Sequence, residues 1–262
     1  MTIGIDPVAF TIGSVNIRWY GIMIAIGVFV LVLWTYRQAK KKWPELSTDT
    51  VMALAIVGIP SGIIFARLMH VIDRLDYFIQ NPGRIIGGEG LTIYGAILGA
   101  FLGTWVYSRF KPFNHWRGAD LVAPGITLAQ AIGRIGCLLN GCCYGTTTSL
   151  PWAISYTHPA SEGFGVVSAH PTQAYEIIFL LLLFGILVFL SGRLKPEGSL
   201  FMVYIGSYSL WRLGIDFIRP GTDFLFGLHQ AQVIGIIVLI IAAFVLIRHR
   251  VHRVKAEEPP PE

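Results

Sequence analysis

Long uncharged apolar stretches alternate with short charged segments along nearly the whole chain. They cover Trp19–Tyr36, Thr50–Ala66, Gly90–Ser108, Leu121–Gly133, Ile177–Gly192, Gly198–Trp211 and Phe224–Ile247. A helix needs roughly 20 such residues to cross the hydrocarbon core of a bilayer. The first three runs and the last approach that length unaided. The fourth, fifth and sixth reach it only by taking in flanking polar residues, which draws Arg134, Glu176, Arg212 and Asp216 into or beside the membrane. The pattern predicts an all-α integral membrane protein, a seven-transmembrane helix bundle.

Composition supports that solvent. Of 262 residues 54% are apolar and 13% charged, against roughly 25% charged in soluble domains, and the mean hydropathy is +0.62. The net charge of +5 does not point to nucleic acid, because the cations sit at the ends of apolar runs rather than on one solvated face. Residues 1–18 lack a basic segment followed by an apolar core and cleavage site, so the first run is read as a retained span.

The cations also orient the bundle. With Met1 outside, the inner loops and tail hold Arg37, Lys40, Lys41, Lys42, Arg109, Lys111, Arg117, Arg193, Lys195, Arg248, Arg250, Arg253 and Lys255, which is 13 of the 20 Lys and Arg. The excess of Lys and Arg on one side predicts N-out and C-in, as an odd number of spans requires. Residues 1–255 are read as a single polytopic membrane domain with a small outward-facing loop and helix cap, mainly 137–170. Residues 256–262, acidic and proline-rich, are read as a disordered cytoplasmic tail. His70 to Glu89, ending in Gly87–Gly88, is read as an interfacial helix and turn.

Three polar clusters fall near the outer face in this topology. In Gly133-Arg134-Ile135-Gly136-Cys137-Leu138-Leu139-Asn140-Gly141-Cys142-Cys143-Tyr144-Gly145, glycines admit close backbone approach and Arg134 offers a planar fork suited to phosphate oxygens. The alternative is an arginine snorkelling to the interface beside a tight turn. In Trp211-Arg212-Leu213-Gly214-Ile215-Asp216-Phe217-Ile218-Arg219-Pro220, helical spacing places Arg212, Asp216 and Arg219 on one face. Asp216 would neutralise one arginine, leaving the other for an anion. In His170-Pro171-Thr172-Gln173-Ala174-Tyr175-Glu176, Pro171 suits a helix start, and His170 is either a structural cap or an acid–base group. Glu176 would be costly if unpaired and is expected to contact Arg134 or Arg212.

Smaller signals are structural in character. Trp19 and Tyr20 are interface anchors, and Gly95 and Gly99 have the spacing of close helix packing. The cysteines Cys137, Cys142 and Cys143 include no CxxC with a His-x-x-His partner, so their spacing predicts no metal site. No cofactor is expected. Pairing of Cys137 with Cys142 or Cys143 is open to an extracytoplasmic chain.

Together the segments RWYG, LTIYGAILGA, GRIGCLLNGCCYG, HPTQAYE and WRLGIDFIRP resemble the prolipoprotein diacylglyceryl transferase family over most of the chain. The resemblance implies seven spans, an outward N-terminus and a small periplasmic head. It implies transfer of the diacylglyceryl group of phosphatidylglycerol to the lipobox cysteine in preprolipoprotein signal peptides, with release of glycerol 1-phosphate, in the bacterial cytoplasmic membrane among its lipids. By motif, Arg134 and Arg212 would be the essential arginines, with Tyr94 and His170 as further catalytic candidates. Tyr20, Asn140, Gly145, Gln173, Glu176 and Arg219 would contact substrate. The chain departs from the family pattern at Tyr94, where histidine is common, at Cys137, where asparagine is common, and at Cys142, where glutamate is common; Asp216 replaces a glutamate. Two other classes use such a scaffold, an anion or lipid transporter and a non-catalytic lipid-binding protein. A transporter would be expected to show broken helices in matching halves, and the sequence has no such symmetry.

Overall fold

The computed structural model describes residues 1–13, 15–73, 75–85, 93–220, 223–225 and 227–257. It is mostly helical: α1 (Trp19–Lys42), α2 (Thr48–Asp73), a short α3 (Leu75–Gln80), α4 (Ile93–Phe110), α5 (His115–Asn140), α6 (Thr172–Leu190), α7 (Ser199–Ile215) and α8 (Gln230–Glu257). Each predicted apolar run overlaps one long helix, although the last run, from Phe224, begins in two short strands and becomes helical only at Gln230. Among the described residues, four segments are long and apolar enough to cross a membrane: Trp19–Lys42, Thr48–Ile72, His115–Asn140 and Thr172–Leu190. Their outer faces carry side chains that water would not tolerate in such number, with Ile178, Leu182, Ile186 and Phe189 of α6 all more than half exposed.

The chain forms two compact units, one of Met1–Trp34 with His115–Glu262 and one of Thr35–Asn114. In the second unit α2 packs along α4 through small residues. A Cβ on Gly95 would stand 2.7 Å from the Ala66 Cα, one on Gly99 would stand 2.5 Å from the Phe65 Cβ, and one on Gly103 would strike the Ser61 side chain. Three glycines four residues apart let the two backbones touch, which is how apolar helices gain packing where lipid supplies no hydrophobic drive. The predicted interfacial segment contains α3 and a single 3-10 turn at Pro82–Arg84. Gly87, Gly88 and Glu89 lie outside the described residues.

The first unit is built on α5, which packs on α6 and α7, while α7 packs on α8. Ala123, Leu183, Leu187, Leu200 and Tyr204 form a buried apolar cluster among α5, α6 and α7. Asp120 fixes one end of that contact. Its carboxylate accepts from the backbone N–H groups of Gly198 and Phe201, both at 2.8 Å, so a side chain of α5 caps the orphan donors at the start of α7.

At the other end of this unit sits the cap. Strand β1 (Thr2–Ile3) pairs in parallel with β4 (Ser155–Tyr156), and β2 (Val8–Ile12) forms an antiparallel hairpin with β3 (Val15–Arg18). A further short pair, β5 (Asp223–Leu225) and β6 (Leu228–His229), precedes α8. The expected cap of 137–170 starts later and gains an N-terminal part, while α6 starts at Thr172, just past its expected end. Helix α5 holds through Asn140, so the loop begins at Gly141, and residues before α1 add strands to the cap. Helix α8 runs to Glu257, past the predicted start of the tail at 256, and residues 258–262 lie outside the described residues.

Candidate active site

Chain direction brings the polar clusters to one depth. Helix α5 ends at the cap, α6 begins there, and the segment after α7 returns there, since Thr146 N–H donates to the Ile218 carbonyl at 2.8 Å. Arg134 lies six residues before the end of α5, Glu176 four after the start of α6, and Arg212 three before the end of α7. At 1.5 Å per residue all three fall within about 10 Å of the capped end.

Two ion pairs form within that layer. Arg134 Nη2 meets Glu176 Oε1 at 2.9 Å, with Glu176 almost sealed from solvent. Arg212 Nη2 donates to Asp216 Oδ1 at 2.9 Å, and Asp216 is also buried. Tyr208 joins them. Its hydroxyl donates to Glu176 Oε1 at 3.1 Å, is reached by the Arg134 guanidinium, and lies within electrostatic range of Arg212. The two arginines therefore belong to one polar constellation on α5, α6 and α7 in an otherwise apolar layer. A guanidinium has five donors and a single carboxylate cannot accept them all, so the pairs neutralise the arginines without exhausting their capacity for an anion.

Arg219 does not share the helical face expected from its spacing. Helix α7 ends at Ile215, a 3-10 turn spans Asp216–Ile218, and Arg219 has extended backbone at φ −106° and ψ 137°. Its register with Arg212 is lost because the chain must leave the helix at Pro220, which restricts the residue before it to extended geometry. Arg219 acts instead on Cys143, electrostatically, together with Arg134.

The loop after α5 is pinned by the first turn of α6. Thr172 Oγ1 donates to the Cys143 carbonyl and Gln173 Nε2 to the Cys142 carbonyl, each at 2.5 Å. Gln173 Nε2 also reaches the Tyr156 hydroxyl at 3.2 Å, while the buried Gln173 Oε1 has no hydrogen-bond partner among the described residues. These clamps hold Cys143 at φ 65°, a conformation that is costly without a Cβ-free residue and persists only when its surroundings fix it. Gly145 is required by space. A Cβ there would stand 2.6 Å from the Ile218 carbonyl oxygen and 2.7 Å from the His170 Cβ.

Asn140 ends α5 and is buried. Its Oδ1 accepts from Arg18 Nη1 at 3.2 Å and its Nδ2 donates to Glu162 Oε1 at 2.6 Å, so it ties the N-terminal hairpin to the cap. Tyr20 follows Arg18 by two residues, on α1, where Gly136 of α5 allows close approach: a Cβ on Gly136 would lie 3.2 Å from the Tyr20 Cα. The His170 ring faces Tyr175, with Nδ1 3.4 Å from its hydroxyl, and that hydroxyl accepts from Trp152 Nε1 at 2.7 Å. His170 is thus placed among aromatic groups of the cap rather than in the arginine constellation. Tyr94 belongs to the other compact unit and its side chain lies outside the described residues.

The three cysteines are free thiols, and their sulfurs lie within 4.8 Å of one another. Arg134 Nη1 points to Cys137 Sγ at 3.8 Å. Hydrogen bonds from Cys137 and Cys142, and then the attraction of Arg134 and Arg219, hold the Cys143 thiol well below its usual range. Cys142 is pushed up, chiefly by its sulfur neighbours and burial.

Sequence reasoning did not single out Tyr208, Arg18 or Glu162. For Tyr208 a signal existed: it lies one helical turn before Arg212, which itself lies one turn before Asp216. Arg18 and Glu162 come from short strand and loop segments with no periodicity to mark them.

A sequence model of the family described as prolipoprotein diacylglyceryl transferase matches residues 7–248. The chain belongs to that family. A phosphatidylglycerol–prolipoprotein diacylglyceryl transferase of Dehalococcoides mccartyi is 52% identical over 249 residues, covering 95% of each chain. Proteins of the same name from Clostridioides difficile and Clostridium tetani are 37% and 35% identical, covering 88% and 91% of this chain and 90% and 96% of theirs. In this chain Arg134 and Arg212 are part-buried, each against a carboxylate that is itself buried, Glu176 and Asp216.

Proposed function

We propose that this chain moves the diacylglyceryl group of phosphatidylglycerol onto the lipobox cysteine of preprolipoprotein signal peptides at the outer face of the bacterial cytoplasmic membrane. The products are a thioether and glycerol 1-phosphate. The names of its relatives support the substrates. The observation that carries the chemistry is the part-buried constellation of Arg134, Tyr208 and Arg212 around the buried Glu176 and Asp216.

The incoming sulfur attacks the glycerol carbon bonded to phosphate. As that C–O bond breaks, negative charge grows on the departing phosphate monoester. Donors already fixed in a dry layer stabilise that charge without reorganising, an effect worth about 3–4 kcal/mol for one such donor. Arg134 and Arg212 supply it in this reading, with Arg219 approaching the same region from outside the helix. Tyr20, Asn140, Gly145, Gln173 and Glu176 shape the headgroup site around them. Within the unit that carries the arginines, His170 and Glu176 are the acceptors this reading offers for the thiol proton. An open groove of about 500 Å³ lies between α6 and α7, lined by Phe179, Ser207, Leu210, Trp211, Gly214, Ile215 and Ile218, and has the apolar character an acyl chain needs.

The topology belongs to the same proposal: seven spans in one polytopic membrane domain, with the N-terminus outside and the C-terminus inside. The basic last turn of α1, Lys40, Lys41 and Lys42, supports it.

Purified protein incubated with labelled phosphatidylglycerol and a lipobox peptide tests the reaction. Label on the peptide cysteine is the expected result. Lipid flux without transfer would assign a transporter, and lipid binding alone a non-catalytic scaffold.

A further inference from the structure

Cys137 closes the second-last turn of α5, and Cys142 and Cys143 lie beyond the turn that follows. Their spacing matches no zinc motif. The fold nevertheless gathers them, because Gly141 at φ 76° and Cys143 at φ 65° fold the chain back on the helix end, where the Cys142 N–H donates to the Cys137 carbonyl at 3.1 Å. Thr172 and Gln173 lock the turn in place through the carbonyls of both cysteines. The result is three sulfurs within 4.8 Å of one another.

We propose that Cys137, Cys142 and Cys143 form a zinc site with three thiolate ligands and a fourth position open to the incoming cysteine of the protein substrate. Zinc sulfur bonds of about 2.3 Å in tetrahedral geometry need sulfurs about 3.8 Å apart. The three sulfurs already lie within 4.8 Å of one another, about an ångström from that separation, with the backbone turn already made. Three protein ligands and one open position is the pattern of a working rather than a closed zinc centre. Three thiolates around a divalent cation leave one negative charge, and Arg134 and Arg219 both act on this cluster to offset it. Soft sulfur donors select zinc over magnesium or calcium.

The role of the open position rests on the transfer activity proposed above. A thiol near pKa 8.5 is a weak nucleophile until it loses its proton, and a coordinated thiol is deprotonated outright. The substrate sulfur binds zinc, and its proton leaves to water at the outer face. A sulfur lone pair then forms the new C–S bond. The C–O bond breaks with its electron pair passing to the phosphate oxygen, beside Arg134, and the thioether leaves the metal. No electron acceptor is required.

Metal analysis of full-length protein in detergent, purified and dialysed against zinc, tests the site first. One zinc per chain is expected, together with sulfur-to-cobalt charge-transfer absorption after cobalt replacement and protection of all three thiols from iodoacetamide. Cys142→Ser should lose the zinc. Since that variant could also misfold, the cobalt spectrum and thiol protection of the unmutated protein stand as independent readouts. Absence of zinc, absence of the charge-transfer band, or a disulfide joining Cys137 to Cys142 or Cys143 overturns the site. Transfer assays then separate the two ideas. Removing zinc should lower transfer by about 100-fold and leave phosphatidylglycerol binding intact. Full transfer by zinc-free protein overturns the metal's role and leaves the proposed activity standing. Zinc-loaded protein that never transfers lipid overturns the activity and leaves the site.

Discussion

Arg134 and Glu176 meet at 2.9 Å between α5 and α6, with Glu176 only 2% exposed. Neither charge is tolerable there alone. Removing one partner of a buried pair leaves the other uncompensated, at a cost of about 3–5 kcal/mol. The pair thus performs two tasks, holding α5 to α6 and keeping a guanidinium charged near the capped end of both helices.

Replacing Arg134 or Arg212 with Lys keeps the charge and removes the planar fork. Transfer to a lipobox peptide should fall by about 100- to 1,000-fold for either, with phosphatidylglycerol binding weakened far less. Equal loss of binding and transfer would place the arginines in ground-state recognition alone. Initial rates at saturating lipid, beside equilibrium binding, make the comparison.

Glu176→Gln leaves Arg134 without its counter-ion. Thermal unfolding in detergent should shift downwards clearly, and the rate should fall at least as far as for Tyr208→Phe. Tyr208→Phe removes only the hydroxyl that bridges the constellation and is expected to cost about 1 kcal/mol of stability. A Glu176→Gln protein as stable as the parent would show that the pair is not holding the helices.

Gly99→Val tests the second compact unit. The added side chain would press on Phe65 of α2, and overpacking of this kind costs about 1–3 kcal/mol. Differential scanning fluorimetry should register the loss. Gly185→Ala, where a Cβ meets no other group within 4 Å, should leave the midpoint nearly unchanged.

Metal-free protein should alkylate first at Cys143. A thiol held below its usual range is already thiolate at low pH, so its rate with iodoacetamide should stay flat as pH falls from 8 towards 6. Cys142, pushed up, should react slowly and keep accelerating above pH 9. Peptide mapping of partly alkylated protein reads both. The reverse order would show that the sulfur hydrogen bonds run the other way.

The helices were legible because lipid-facing segments must satisfy their own backbone and so write themselves as long apolar runs. Glu176 was legible for the same reason, since an acid in such a run demands a cation. Arg219 was misplaced because i+7 spacing was read through Pro220's influence on the preceding turn, where helical periodicity had already stopped. The strands before α1 carry too few residues for a period of two to show. Asn140 looked like a headgroup ligand, yet the fold also uses it to bind Arg18 and Glu162. The cysteine cluster depends on two positive-φ residues, and no spacing rule foretells where such a turn will send a side chain.

The pairing of Thr2 with Ser155 has a consequence for biogenesis. A ribosome delivers the first strand long before its partner exists, and the four long helices α1, α2, α4 and α5 are made in between. The opening residues therefore wait, unpaired, until the loop beyond α5 arrives to receive them. Completion of the capped end is in this way tied to synthesis of the middle of the polypeptide, and a chain stalled before that point would keep a raw strand edge.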